Sequence, residues 1–429
     1  MSFDPTATPE PDDAPDPILG GARPDPTRGS WLTLVGIGAD GVEGLSPAAR
    51  AALERAELVF GSARQLSLLQ GIVSCDTAFW PTRFSLGLAR VLSRRGQPTV
   101  VLSTGDPFFF GVGATLAPHL TPGEFICYPV PSSLSLAASR LGWALQDTEV
   151  VSLHGRDLRT IVRYLHPGRR VLALSWNQDT PAELARLLMA RGFGPTRLTV
   201  LEALGGPEER VRSCLASDFD LSRCLDLNVV GLDLAIAPHA IWVPVRASLP
   251  DSEFEHDGQL TKQDIRAVTL SALRPRPGAL LWDVGAGSGS IGIEWLLSHP
   301  ACRAVAIEQE PARCERIRRN AHALGVSQLQ VVEGSAPDAL RSLEAPDAVF
   351  LGGGAADPDV LEQCWSALEP GGWLVANAVS LETEARLLAA HAAQGGDLRR
   401  LSIESAAPLG TMTGWRPALP VMQWRIQKQ

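Results

Sequence analysis

The chain has 429 residues, of which 45% are hydrophobic and 20% are charged, and its formal net charge is −9. This length is too great for one hydrophobic core and predicts two or three globular domains, while the acidic balance argues against a nucleic-acid scaffold. No apolar run is long enough to span a membrane, and the seven cysteines show no CxxC pair, so we expect a cytoplasmic protein with reduced thiols and no metal site.

Residues 1–30 are predicted to be a disordered, acidic, proline-rich tail. Acids such as Asp12, Asp13 and Asp16 alternate with prolines and leave little apolar surface to bury. The segment also lacks the basic start and apolar core of a secretion signal, so it offers no address outside the cytosol.

Residues 31–246 alternate between strand and helix patterns and predict an α/β domain. Trp31–Ile37 has the pattern of a buried strand. Ser46–Ala56 has that of a helix, with Ser46 as its cap and Pro47 at its first position. Further strands are predicted at Leu58–Phe60, Thr99–Ser103, Val150–Leu153 and Val171–Trp176, with helices at Leu86–Arg95 and from Thr180.

Residues 247–260 are polar and poorly periodic, which indicates a domain junction. Residues 261–429 then repeat the alternation and predict a doubly wound, Rossmann-like sheet of seven strands whose last strand is antiparallel. The strands are expected at about 279–284, 303–308, 329–333, 347–351, 373–379, 399–405 and 420–427. Helices are expected to open near Ile291, Pro311, Pro337, Pro358 and Leu381.

The most informative motif of the second half is LLWDVGAGSG, Leu280–Gly289. Its glycines allow a nucleoside ligand to approach the backbone and a helix N-terminus, and Glu308 at the end of the next strand can accept from a ribose diol. A dinucleotide site needs a glycine five positions after the first, where this chain has Ser290. The motif therefore favours a nucleoside without a pyrophosphate over an NAD-dependent oxidoreductase, the rival enzyme class.

Three motifs carry the signal of the first half: VGIGADG, STGDPFFFGVG and PSSLSLAASRLGW. In the second of them, Gly105 permits an unusual turn at a strand end and Asp106 offers a hydrogen-bond acceptor. In the third, Ser132 and Ser133 stand at a predicted helix start, where hydroxyl and free N–H groups converge. Ser132 is equally consistent with a plain helix cap.

In this order the motifs resemble the tetrapyrrole methylase family over about Trp31–Val245, together with SLHGR and LSWNQDTPAEL. That family binds S-adenosylmethionine (SAM) in a cleft between two α/β lobes. The resemblance implies a first SAM site formed by Ala39, Thr104, Gly105, Asp106, Phe109, Ser132, Ser133 and Leu174. Ala39 stands where many family members have proline, which makes its assignment the least secure.

The second half, about Pro250–Gln429, resembles the class I SAM methyltransferases, and among them the decarboxylating methyltransferases of corrin synthesis. The motifs behind this resemblance are DVGAGSGSIGIE, AIEQEPARCERIRRNA, EGSAPDAL and DAVFLGGG. It implies a second SAM site formed by Thr261, Gly285, Ala286, Gly287, Ser288, Gly289, Glu308 and Ala336.

Both families in one chain imply an enzyme of the aerobic vitamin B12 route. The first domain would methylate a precorrin at C5, and the second would methylate it at C15 and remove CO₂ from the ring C acetate. Because enamine-like meso carbons are nucleophilic without a strong base, no Cys–His or Ser–His–Asp arrangement is expected. The resemblance also implies a homo-oligomer, while the acidic charge and the lack of a membrane-length apolar run predict no nucleic-acid or membrane partner. The order of steps and the proton donor stay open, and a non-catalytic SAM-binding scaffold is the other alternative.

A substrate with several carboxylates needs local basic side chains on a chain of net charge −9. The candidates are Arg156, Arg159, Arg163, Arg169, Arg170, Arg399, Arg400 and Arg416, although each is also consistent with a solvated surface charge. His154 and Asn377 are further candidates for substrate contact, and His154 is equally consistent with a turn residue.

Overall fold

The computed structural model describes residues 29–69, 71–238, 248–355 and 357–429. Within them the chain divides into two compact units, Met1–Trp143 with Leu201–Arg210, and Ala144–Val200 with Val211–Gln429. The tail predicted at 1–30 lies outside the described residues except for its last two positions, and so does the first residue of the junction predicted at 247–260.

The first unit is built on a wholly parallel five-stranded sheet in the order β3-β2-β4-β1-β5. Its strands are β1 Leu32–Ile37, β2 Leu58–Gly61, β3 Asp76–Phe79, β4 Thr99–Thr104 and β5 Phe125–Tyr128. Its helices are α1 Pro47–Glu54, α2 Ala63–Ser67, α3 Phe84–Leu92, α4 Val112–Leu116 and α5 Ser133–Leu141. Ser46 caps α1, as predicted, because its hydroxyl accepts from the backbone N–H of Ala49 at 3.2 Å.

The strand order of this sheet creates a crevice at its carboxyl edge. The neighbours β1 and β4 connect onward in opposite directions, β1 to β2 and β4 to β5, so the loops that follow them leave toward opposite faces. Both faces of the sheet are buried, with Val35, Ile37 and Leu53 in one core and Leu34 and Phe60 in the other. The central strands β1, β2 and β4 are therefore covered on both faces.

The second unit contains two sheets, of which the first is mixed, in the order β6-β7-β10-β8-β9. Its strands are β6 Thr148–Ser152, β7 Arg170–Leu174, β8 Arg197–Glu202, β9 Arg210–Leu215 and β10 Asn228–Asp233. Helix α6, Thr180–Ala190, buries Leu184 and Leu188 against β7 and β8 residues such as Ala173 and Val200. Strand β10 is the last strand before α7 and runs antiparallel to β7.

The second sheet of this unit has seven strands in the order β13-β12-β11-β14-β15-β19-β16. The strands of this part are β11 Leu280–Val284, β12 Arg303–Glu308, β13 Gln330–Glu333, β14 Ala348–Leu351, β15 Trp373–Ala378, β16 Asp397–Leu401, β17 Glu404–Leu409, β18 Met412–Pro417 and β19 Val421–Gln427. Its helices are α7 Gln263–Leu273, α8 Ser290–Ser298, α9 Pro311–Ala323, α10 Pro358–Ala367 and α11 Leu381–Gln394. Strand β19 is antiparallel to both of its neighbours.

The fold confirms the predicted α/β class, with two local differences. The helix expected near Pro337 is a single 3-10 turn, Asp338–Leu340, from which Leu340 and Leu343 already reach the core. The strand expected at 399–405 ends at Leu401, and residues 404–417 form the separate two-stranded hairpin of β17 and β18. Across the described parts of the chain, no helix is both long enough and apolar enough to cross a membrane.

Residues 248–261 pack against the seven-stranded sheet, although their polar sequence predicts a junction. Leu249 and Phe254 are buried in the same core as Ile293 of α8. The fully buried Arg266 of α7 donates to Glu294 at 2.7 Å and to Asp251 at 2.8 Å. It also donates to the carbonyls of Leu249 and Thr261, and its guanidinium lies 4.9 Å from the centroid of the Phe254 ring.

We expect Arg266→Met to lower the free energy of unfolding by about 3–5 kcal/mol, because it leaves the Glu294 carboxylate buried without its cation. The double variant Arg266→Met/Glu294→Leu should recover much of this loss, since no uncompensated charge remains. Urea unfolding followed by circular dichroism measures both. A loss below about 1 kcal/mol in the single variant would show that the pair does not hold the segment.

Candidate active site

The carboxyl edge of the seven-stranded sheet has its own crevice, between β11 and β14. The chain leaves β11 toward β12 and leaves β14 toward β15, on the other side. Gly285 follows β11 with a φ of +72°, and a Cβ built on it would lie 2.7 Å from the Cα and N atoms of Gly353. The two loops therefore touch backbone to backbone, which only glycine allows.

Glu308 ends β12 with its carboxylate held at the rim of this crevice. It is 4% exposed. One carboxylate oxygen accepts from the N–H of Gly287 at 2.8 Å and the other from the N–H of Glu310 at 3.1 Å. Each oxygen keeps a second lone pair, so the fixed carboxylate can still accept from two hydroxyl groups.

A cavity of about 300 Å³ opens between these loops. Its lining includes Gly285, Gly287, Glu308, Ala336 and Gly352–Gly354. Ser288 is buried behind it, and Gly289 is pressed against Ile317 of α9, where a Cβ would lie 2.7 Å from a side-chain carbon. A Cβ on Gly287 would lie 3.1 Å from the carbonyl of Gln259. A backbone cradle with one carboxylate at its tip fits the nucleoside part of SAM.

A larger cavity of about 720 Å³ adjoins the first and shares Gln259, Gly285, Gly287 and Gly352 with it. The predicted residues Thr261, Ala286 and Asn377 line this second cavity. Most of its remaining walls are apolar and come from β14, β16, β19 and the loops around them, namely Phe350, Val379, Leu401, Ile403, Ala418, Leu419 and Val421.

Gln259 lines both cavities and was missed by the sequence analysis, which interpreted its segment as a junction. Its backbone N–H donates to Asp257 at 3.1 Å, and Arg313 of α9 donates to the same carboxylate at 3.0 Å. This contact and a second one from Arg316 hold the pKa of Asp257 well below its usual range. The only local signal is the DG pair at Asp257 and Gly258, which is typical of a turn.

The crevice of the first unit has the same backbone-to-backbone construction. A Cβ on Gly36 of β1 would lie 2.0 Å from the carbonyl oxygen of Gly105, which follows β4. Gly105 has a φ of +70°, and a Cβ there would lie 2.9 Å from the Cα of Ser132. The ends of β1, β4 and β5 are thus drawn together backbone to backbone, and a SAM site at these strand ends stays a prediction.

The side chains predicted around this crevice already have local partners. Thr104 accepts from Gln65 at 3.1 Å, and Asp106 accepts from the N–H of Phe108 at 2.8 Å, which fixes the loop as an Asx turn. Ser132 caps α5 by accepting from the N–H of Ser135 at 3.1 Å. The helix-cap alternative is therefore correct for Ser132, and a ligand contact by the same hydroxyl stays a prediction.

The other predicted residues of the first SAM site are placed as follows. Ser133 is the first residue of α5, and Phe109 is 37% exposed beside Phe110. Ala39 follows β1, and a Cβ on Gly206 would lie 2.8 Å from the Ala39 methyl group. Leu174 belongs to the second unit, where it ends β7.

Two of the basic candidates are used for packing inside the second unit. Arg163 donates to the carbonyl of Leu296 in α8 at 2.7 Å, and burial lowers the pKa of its guanidinium. Arg159 contacts His322 of α9. Arg163 is therefore a structural contact rather than a surface cation, whereas His154 and Arg156 lie exposed on the loop after β6.

The three late arginines lie on two different sheets, with Arg399 and Arg400 on β16 and Arg416 on the hairpin strand β18. Arg400 pairs with Glu384 of α11 at 2.8 Å, on the face opposite Leu401. Arg416 lies directly across from Ser405 in the hairpin of β17 and β18. Directly opposed residues share a face, so Arg416 is on the side of Ser405, which lines the larger cavity. Arg399 shares the face of Leu401.

Among the described residues, no cluster of His, Cys, Asp and Glu could hold a metal ion.

Comparison with known proteins divides the chain into two consecutive matches. Residues 31–220 match the family model of the tetrapyrrole (corrin/porphyrin) methylases, and residues 252–428 match that of a precorrin methyltransferase domain.

Three curated relatives span different parts of the chain. Precorrin-6Y C(5,15)-methyltransferase (decarboxylating) of Sinorhizobium sp is 51% identical over 398 residues, which cover 93% of this chain and 96% of that protein. Cobalt-precorrin-7 C(5)-methyltransferase of Salmonella typhimurium is 30% identical, over 46% of this chain and 98% of that protein. A probable cobalt-precorrin-6B C(15)-methyltransferase (decarboxylating) of Saccharolobus solfataricus is 36% identical, over 35% of this chain and 78% of that protein.

Asp283, on β11 beneath the glycine loop, makes stability depend on pH. Burial raises its pKa to about 7, and the charge of Glu308 adds to the effect. The folded state therefore keeps this proton between about pH 4 and about pH 7, where the unfolded chain has lost it, and stability falls as the pH rises through that range. Asp283→Asn should remove this part of the slope. Melting temperatures of both proteins across the range measure it, and parallel curves would contradict the assignment.

Proposed function

The chain belongs to the family of the precorrin-6Y C(5,15)-methyltransferases (decarboxylating), and from this premise we propose that it methylates precorrin-6Y at C5 and C15. It also removes CO₂ from the ring C acetate, giving precorrin-8X, with SAM as the methyl donor. The observation that carries this proposal is the presence of two glycine-built crevices in one chain, each within a different methyltransferase match.

Each domain performs one methylation and has its own SAM site in this proposal. The first domain, residues 31–246, acts at C5, and the second, residues 261–429, acts at C15 and releases CO₂. Two relatives support the division, because their names give a C(5) and a C(15) activity separately and each covers less than half of this chain. The two sites have different sheet orders, so one is not a copy of the other.

SAM supplies an electrophilic methyl group on a sulfonium. The residues of the second domain hold its nucleoside part through the backbone at Gly285–Gly287 and through the Glu308 carboxylate. The adjoining larger cavity takes the macrocycle, and its apolar walls exclude water from the reacting carbon. In the transfer, the new C–C bond forms as the C–S bond breaks, and the meso carbon gives its proton to water. No strong base is needed, so positioning by the two cavities is the main contribution of the chain.

Asp106→Ala should abolish methylation at C5 only, because the TGDP loop loses the Asx turn that shapes its crevice. Gly287→Arg should abolish methylation at C15 and loss of CO₂ only, because its side chain would fill the second cradle. Mass spectrometry of the products and equilibrium dialysis with SAM measure this, with one of two binding sites lost in each variant.

Matched controls separate these effects from general damage. Gly278→Arg carries the same backbone strain, at a φ of +82°, but a Cβ there meets nothing within 4 Å. Asp76→Ala removes an exposed carboxylate from β3 of the first unit. Both controls should keep both methylations. Loss of both methylations in either Asp106→Ala or Gly287→Arg would contradict independent sites.

Arg416→Ala should raise the KM for the tetrapyrrole several-fold with little change in kcat, because the arginine attracts substrate carboxylates at the cavity mouth. The effect should shrink at high salt, since exposed charges are screened. Arg400→Ala is the control, as it removes an arginine that pairs with Glu384 on the face of β16 opposite Leu401. Equal KM values in the two variants would exclude Arg416 from substrate recognition.

A further inference from the structure

Three buried polar side chains form a hydrogen-bonded group on one face of the seven-stranded sheet. Asn377 of β15 and Gln423 of β19 lie directly opposite each other, and Gln423 Nε2 donates to Asn377 Oδ1 at 3.0 Å. Thr269 of α7 packs over both, and its hydroxyl oxygen accepts from Asn377 Nδ2 at 3.0 Å and from Gln423 Nε2 at 3.2 Å. We call this group the amide cluster.

The amide cluster lowers the folding stability of the chain. The Oε1 atom of Gln423 is buried and has no hydrogen-bond partner in the described part of the chain. A buried acceptor left unsatisfied costs about 1–3 kcal/mol. Valines and leucines occupy neighbouring positions on the same face, at Val375, Val421 and Leu401. Stability alone therefore does not explain three polar side chains here, which points to a functional reason.

The amide cluster reaches the larger cavity through Asn377, which lines it. Because Gln423 occupies Asn377 Oδ1 and Thr269 takes one N–H of Nδ2, the side chain is fixed with its second N–H available to a ligand. The charged residues that line this cavity, Asp251, Lys262 and Asp264, all come from the segment before and at the start of α7. Lys262 lies 3.6 Å from the Asp251 carboxylate. Asn377 thus offers a neutral donor on the sheet wall.

Building on the proposed function, we propose that Asn377 donates this N–H to the acetate carboxylate that leaves as CO₂. Thr269 and Gln423 are positioning residues that fix the amide. In this step the bond between the carboxyl carbon and the methylene carbon breaks. Its electron pair passes into the conjugated macrocycle, and a proton from water completes the methyl group.

A neutral donor suits this step better than a cation. As the C–C bond breaks, negative charge moves from the carboxylate into the macrocycle. A cation paired with the carboxylate would stabilise the ground state more than the transition state and would slow the reaction. An amide N–H orients the carboxylate but stabilises its negative charge less than a cation would. The apolar cavity walls also exclude the water that would otherwise stabilise the carboxylate.

The first test compares Asn377→Asp and Asn377→Ser with the wild-type full-length chain on precorrin-6Y and SAM. Asn377→Asp places a negative charge against the substrate carboxylate and should reduce CO₂ loss about a hundredfold. Asn377→Ser keeps a small donor and should retain more of the activity. Methylation at C5 and the SAM affinity of the second site, from titration calorimetry, should stay close to wild type in both variants. The melting temperature should stay close to wild type in Asn377→Ser and should fall only in Asn377→Asp, which buries a charge.

The second test uses Gln423→Leu, which removes the donor that fixes Asn377 Oδ1. CO₂ loss should fall about tenfold because the amide can rotate, while SAM binding is retained. Gln427→Leu is the matched control: this glutamine lies on the same strand and face, where it donates to the carbonyl of Gly371. The control should leave CO₂ loss unchanged.

Two outcomes would overturn the inference. One is CO₂ loss at the wild-type rate in Asn377→Asp. The other is a fall in Asn377→Ser or Gln423→Leu that only parallels a loss of SAM affinity or melting temperature, which would make the amide cluster structural. Failure of the proposed function has a different signature, because the wild-type chain itself would then give no doubly methylated, decarboxylated product.

Discussion

The buried pair of Arg266 and Glu294 is the contact on which the second site depends. Burial raises the pKa of Glu294, and the charge of Arg266 opposes that shift. The same guanidinium also binds Asp251 and two carbonyls of the segment before α7, so each of its three nitrogens donates to a protein acceptor. Glu294 lies on α8, the helix that begins directly after the glycine loop. This ion pair therefore fixes the segment before α7 against α8. The first carries Gln259 and Thr261 on one side of the larger cavity, and the glycine loop before α8 carries Gly285–Gly287 on the other. Such a pair contributes geometry more than stability.

Both proposed SAM sites meet the same constraint, since a nucleoside must approach a strand end closely. In the first unit Gly36 and Gly105 bring β1 and β4 together, and in the second unit Gly285 and Gly353 bring β11 and β14 together. In each case the crevice lies where neighbouring parallel strands connect onward in opposite directions. The sheets differ in strand order and composition, and the polar groups differ as well: a fixed carboxylate at Glu308 in one, and an Asx turn with a helix start in the other.

Local chemistry explains what the sequence could predict. Ser46 followed by Pro47 predicts the start of α1, because the signal lies in neighbouring residues. The glycine spacing together with Glu308 predicts the loop after β11 and its carboxylate, because both belong to one βαβ unit. The partners of Arg266, Arg163 and Asn377 could not be predicted, since the contacts join residues 28, 133 and 108 positions apart. The sequence predicts a junction at 247–260 because the two buried apolar residues of this segment, Leu249 and Phe254, are too few to produce a periodic pattern.

The charges near the larger cavity can be sorted by what each substrate carboxylate has to do. A carboxylate that stays on the macrocycle gains from a cation in every step, so an exposed arginine such as Arg416 can bind it without affecting the barrier. The carboxylate that leaves must lose its charge, and a fixed cation beside it would oppose this. The structure offers Arg416 on the hairpin, Lys262 beside Asp251 at the start of α7, and a neutral amide at Asn377 on the sheet wall. On a chain of net charge −9, Arg416 would attract the substrate at the entrance, while the donor proposed for the leaving carboxylate carries no charge.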